Sequence, residues 1–114
     1  MSPENLPLTQ FSFTLPTGFL DEKGTFHQEG IMRPVIGIDE LYRERDVRVI
    51  DNPAYGILVM LSRAIIRLGD IFPVTPDLLE NLFLTDLGYL QAVYNQMNPP
   101  EAAISLAGEL PATP

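Results

Sequence analysis

Cysteine and tryptophan are absent from the 114 residues, and histidine occurs once, at position 27. Without cysteine there is no disulfide framework, no thiolate metal site and no cysteine nucleophile. Basic side chains are scarce. Seven Lys and Arg stand against fifteen Asp and Glu, a formal net charge of −8, which is the reverse of what phosphate backbones and anionic lipid surfaces select. Nucleic acid is therefore not an expected partner. Long apolar runs are also missing: Tyr55 to Leu68 is interrupted by Arg63 and Arg67 and falls short of the ~20 residues that span a bilayer. No Gly-rich phosphate loop and no HExxH motif occurs, and the single histidine has no recognisable Ser-His-Asp context. These gaps predict a non-enzymatic chain with no cofactor and no membrane span. The opening MSPENLPLTQ lacks the basic and apolar regions of a secretory signal, so the expected location is cytoplasmic, or on an assembled particle.

What is present is an ordinary globular composition, 46% hydrophobic and 19% charged, at a length suited to one core. Residues 1–8 are polar or Pro-rich and 99–114 are rich in Pro and Ala. Both read as flexible tails, with Ile104, Leu106 and Leu110 able to dock as a short segment. A single α+β domain is expected over 9–98.

In TQFSFTL, Phe11, Phe13 and Leu15 alternate with polar residues, the pattern of a strand with one buried face. Asp21-Glu22-Lys23-Gly24 is a hairpin turn ending in the residue that tolerates positive φ. Thr25 to Arg33 is the expected return strand, with Phe26, Gln28 and Gly30 on one face and His27, Glu29 and Ile31 on the other; Gly30 invites a bulge. IDELYRER opens a short helix with Asp39 near its positive end. Asn52-Pro53 and Gly69 punctuate a predicted helix over 52–69, and Thr75-Pro76 and Pro99 bound a second over 75–98. The short link between them predicts antiparallel packing. The expected fold is thus an N-terminal antiparallel β-hairpin packed on an antiparallel pair of long α-helices, with a short helix between.

His27 has Glu29 on its strand face, but one histidine and one acid make a poor metal site. A surface or interface position is expected for it. Asp39, Glu40, Glu44 and Asp46 interleave with Arg43, Arg45 and Arg48, which predicts a solvated face laced with weak ion pairs. Asp86 sits inside an apolar helical run, and Arg63 and Arg67 project from the other long helix. Either Arg63 or Arg67 bridges Asp86 and sets the helix register, or both arginines extend into water. The helix over 52–69 is apolar almost all round, so Tyr55, Val59 and Met60 join Phe19, Leu20, Phe26, His27 and Glu29 as expected partner-binding residues. The hairpin is also expected to offer a free edge to an added strand.

Taken together, LPTGFLDEKGTFHQEGIMRPVIGIDELY, NPAYGILVMLSRAIIRLG and VTPDLLENLFLTDLGYLQAVYNQMN resemble the phage tail assembly proteins of contractile tails and injection systems, a family related to myophage baseplate-hub assembly proteins. The pieces that carry the likeness are Leu15-Pro16 with Gly18, Asp21, Gly24 and His27; Met32-Arg33-Pro34; Asp39-Glu40; Asn52-Pro53-Ala54-Tyr55; Arg63; Leu68-Gly69; and Asp86 with Tyr94. Gln28 departs from the basic residue expected in that run. The resemblance implies an assembly chaperone that binds tail, baseplate or hub proteins, or alternatively a minor baseplate component retained in the mature particle. Self-association into a homo-oligomer is compatible with either.

Overall fold

The computed structural model describes residues 10–99. The tails expected over 1–8 and 99–114, with Ile104, Leu106 and Leu110, lie outside the described residues apart from Pro99.

The described residues begin with a long strand, β1 (Phe11–Leu20), which turns into β2 (Phe26–Met32). The turn forms where the polar tetrad predicts it: Asp21 and Thr25 close it through a backbone hydrogen bond of 2.9 Å, and Gly24 takes φ +86°. The two strands pair antiparallel, Phe11 opposite Met32 and Leu20 opposite Phe26, with a register shift between Thr14 and Phe19. Pro16 and Gly18, the latter at φ +109°, lie in that bulge. One expectation is displaced: the irregularity between these strands lies in β1 at Leu15–Gly18 and not at Gly30. Gly30 instead serves close packing, because the Phe13 ring occupies the space its Cβ would need.

A short helix follows, α1 (Gly37–Arg45), as IDELYRER predicts, and then α2 (Val47–Asp51). Asn52 caps the next turn with its side chain, accepting from the Ala54 N–H. A 3₁₀ turn over Pro53–Tyr55 leads into α3 (Gly56–Ala64). The predicted long helix is cut short here. Ile65 adopts extended geometry, and Ile65–Leu68 becomes β3, pairing antiparallel with the far side of β2. Two consecutive β-branched residues suit a pleated surface better than a helix end, and Ile65 and Leu68 complete the buried face of the sheet. Gly69, at φ +58°, therefore ends a strand and not a helix.

The second predicted long helix is also divided. Thr75 caps α4 (Pro76–Leu79), accepting from the Leu78 N–H at 3.2 Å. The chain then breaks at Phe83, which is extended, before α5 (Leu84–Met97). The break puts Asp86 in the first turn of a new helix, where the positive end of the helix dipole favours a carboxylate. Consequently the long antiparallel helix pair is replaced, among the described residues, by a three-stranded antiparallel sheet, β1-β2-β3, and five α-helices, of which α5 packs on β1 and α3 is flanked by α1, α4 and α5. Phe13, Leu15, Met32, Leu61, Leu68, Leu79 and Leu90 are central to the core. Among the described residues, no helix is long and apolar enough to cross a membrane.

Candidate functional site

Two fully buried aspartates, each the third residue of a helix, organise the polar interior. Asp39 accepts hydrogen bonds from both terminal nitrogens of Arg33 (3.0 Å each), from Arg63 Nε at 2.6 Å and from the Ile36 N–H at 2.8 Å. Burial alone raises its pKa; the Arg33 bonds, the Ile36 amide and Arg63 override that and lower it to about 2. The Arg63 guanidinium also lies over the Tyr42 ring at 4.0 Å, a cation–π contact. Asp39 is thus a buried hub, contrary to the solvated face predicted for the acidic cluster. Its neighbours do follow that expectation, Glu40 pairing with Arg43 and Asp46 with Arg48.

Among the described residues Asp86 meets no arginine. Its carboxylate accepts from the Thr17 N–H (2.8 Å) and the Gly18 N–H (2.9 Å), the two donors that the bulge in β1 removes from the ladder. The expected bridge to Arg63 or Arg67 is therefore corrected: Arg63 goes to Asp39, and Arg67 donates to the Gly69 carbonyl. The reason is local supply. A bulge frees backbone donors beside a helix N-terminus, and buried donors demand an acceptor. Gln28 completes the arrangement by donating to the Leu15 carbonyl at 3.0 Å. One turn along α5, the Tyr89 hydroxyl accepts from the Thr14 N–H. The edge of β1 is consequently occupied from Thr14 to Gly18 and offers no strand-docking site there.

At the hairpin tip, His27 is buried and not on the rim. Its Nε2 lies 2.8 Å from Asp21 Oδ2, and its Nδ1 faces the Asp70 N–H at 3.5 Å. Because a carboxylate only accepts, Nε2–H donates to Asp21. Asp21 Oδ1 meanwhile accepts from the Lys23 and Thr25 amides. The hydrogen bond from His27, followed by that from the Thr25 amide, holds the Asp21 carboxyl below its usual range. Both imidazole nitrogens are spoken for, so the ring braces the turn against the segment after β3. The Phe19 ring stacks beside it, centroids 6.4 Å apart. Among the described residues no three His, Cys, Asp or Glu side chains come together as a metal site. Beside this brace opens a groove of about 550 Å³, with Phe19, Ile71 and Leu78 among its apolar lining and Asp21, Glu22 and Asp70 among its acids.

No family model, curated protein or solved structure matches the chain.

The residues expected to bind partners divide by exposure. Leu20 and Phe26 are 63% and 56% exposed and lie opposite each other across the hairpin; Glu29 is exposed on the outer sheet face. Val59 and Met60 are buried within the chain itself, so they are not on offer. The apolar circumference of α3 is covered by neighbouring elements, among them α1, α4 and α5, which together replace the single helical partner the sequence predicts. Tyr55 is half-buried, its hydroxyl donating to Glu80 at 2.5 Å and its ring 5.0 Å from the Arg48 guanidinium. Burial and the Glu80 bond raise its pKa to about 12. Exposed apolar groups that sequence reasoning missed include Val47 and Ile50 on α2, Phe72, and Leu84 at the start of α5. Phe72 and Leu84 sit at element boundaries, where no periodicity marks a face. Val47 and Ile50 are i, i+3 neighbours, a signal hidden by the charges around them.

Proposed function

We propose that this chain is a non-enzymatic accessory protein of contractile-tail or injection-system assembly, which binds tail, baseplate or hub subunits as an assembly chaperone. The observation that carries the reading is paired apolar exposure. Leu20 and Phe26 are cross-strand neighbours at the hairpin tip, and Val47 and Ile50, 74% and 68% exposed, share one face of α2. Single exposed apolar side chains are ordinary on any surface, whereas adjacent ones form the beginnings of an interface. A chaperone of this kind covers apolar surface on a subunit until assembly replaces it.

The sequence resemblance supplies the contractile-particle context, and the acidic surface is consistent with protein partners in preference to nucleic acid. Co-expression of the tagged chain with tail and baseplate genes, followed by affinity capture, tests the reading. Recovery of a defined subunit, weakened by Leu20→Ser with Phe26→Ser, is the expected result; recovery of none overturns it. Mass spectrometry of purified particles then separates a transient chaperone, absent from them, from a retained baseplate component.

A further inference from the structure

We propose that the groove at the hairpin tip is a docking site for a basic side chain, arginine or lysine, presented by a partner polypeptide; this rests on the protein-binding reading above and names the chemistry it selects. The groove holds about 550 Å³, within the ~300–1,000 Å³ typical of sites that enclose a small ligand. Its floor is apolar and fixed, because Phe19, Ile71 and Leu78 are partly buried and pack on the core. Such a floor suits the aliphatic stem of a long cationic side chain.

The rim is acidic. Asp21, Glu22 and Asp70 line it against one ammonium group, that of Lys23. Asp21 is already committed to His27 and to two backbone amides. Glu22 and Asp70 differ: among the described residues neither has an ion-pair partner. Two uncompensated carboxylates beside an apolar floor match a cation on an apolar stem. On a chain of net charge −8 they repel an anion, and a purely apolar group leaves them unanswered. The walls are also held in place, since the His27–Asp21 brace and the close approach of Gly69 to the imidazole join the turn to the segment after β3.

The test is an amide-shift NMR titration of the full nitrogen-15-labelled chain with four capped tripeptides, Leu-Arg-Leu, Leu-Lys-Leu, Leu-Gln-Leu and Leu-Glu-Leu. Saturable shifts at Phe19, Lys23, Ile71 and Asn81 are expected with the Arg or Lys peptide. Glu22→Gln and Asp70→Asn should each weaken that binding by roughly two- to fivefold, the range of an exposed ion pair, while Glu29→Gln on the sheet face leaves it unchanged. Both groove substitutions are at exposed positions, and the amide spectrum itself reports that the fold is intact. Absence of saturation at the groove amides, or equal binding of all four peptides, overturns the proposal. Failure of the two readings is distinguishable. Peptide binding without subunit capture removes the assembly role and leaves the groove; subunit capture without peptide binding removes the groove alone.

Discussion

Replacing Asp39 with Asn removes one charge from a fully buried position while keeping the side-chain shape. The wild-type carboxylate accepts four hydrogen bonds, three of them from Arg33 and Arg63. Its folded pKa of about 2, against an ordinary 3.8, corresponds to about 2–3 kcal/mol at ~1.4 kcal/mol per pH unit. Because the folded value is depressed, this contribution is complete above pH 3.8 and disappears as pH falls through about 2. The arginine side chains remain 33% and 29% exposed, so they can turn towards water. The loss should accordingly stay below the ~3–5 kcal/mol seen when one partner of a fully buried pair is removed. Asp39→Asn is expected to lower stability by about 2 kcal/mol at pH 7, or about 8–16 °C in Tm for a domain of this size. Urea unfolding of the two proteins from pH 7 down to pH 2 measures both quantities. The difference should shrink between pH 4 and pH 2. An unchanged midpoint at pH 7, or a difference that persists undiminished at pH 2, refutes the reasoning.

Asp86→Asn leaves one buried backbone donor facing an amide NH2 and should cost about 1–3 kcal/mol in urea unfolding, whereas Arg67→Ala, which removes only an exposed bond to the Gly69 carbonyl, should stay within ~0.5 kcal/mol. Equal effects would restore the discarded Arg67–Asp86 bridge. Gly24→Ala meets open space at φ +86° and should cost about 1 kcal/mol of backbone strain. Gly69→Ala combines positive φ with a collision against the His27 ring, and its Tm should fall clearly further. Leu84→Ser, at an exposed position, should leave Tm within a few degrees; a large drop would place Leu84 in the core.

The parts of this fold written in local sequence are its turn and caps. Asp21 to Gly24 makes the hairpin, while Asn52 and Thr75 cap the turns they precede. Helix ends were less legible, because Ile65-Ile66 can continue a helix or begin a strand, and only the pairing of Ile65 with Met32 decides it. Asp86 stands out in sequence as a charge in apolar surroundings, yet its partners are backbone amides 68 and 69 residues away, freed by a bulge that no side-chain pattern announces. Likewise His27 reads as a rim residue by alternation. Its burial comes from Gly69 and Asp70, which reach it only after β3 has joined the sheet. The groove is illegible for the same reason, since its two walls meet through tertiary contact.

Sedimentation velocity of the purified chain mixed singly with each tail, baseplate and hub subunit is the most direct measurement of whether the exposed apolar pairs serve association. A defined complex with one of those subunits, weakened by Leu20→Ser with Phe26→Ser at unchanged Tm, is the predicted result. A chain that sediments alone in every mixture would contradict it.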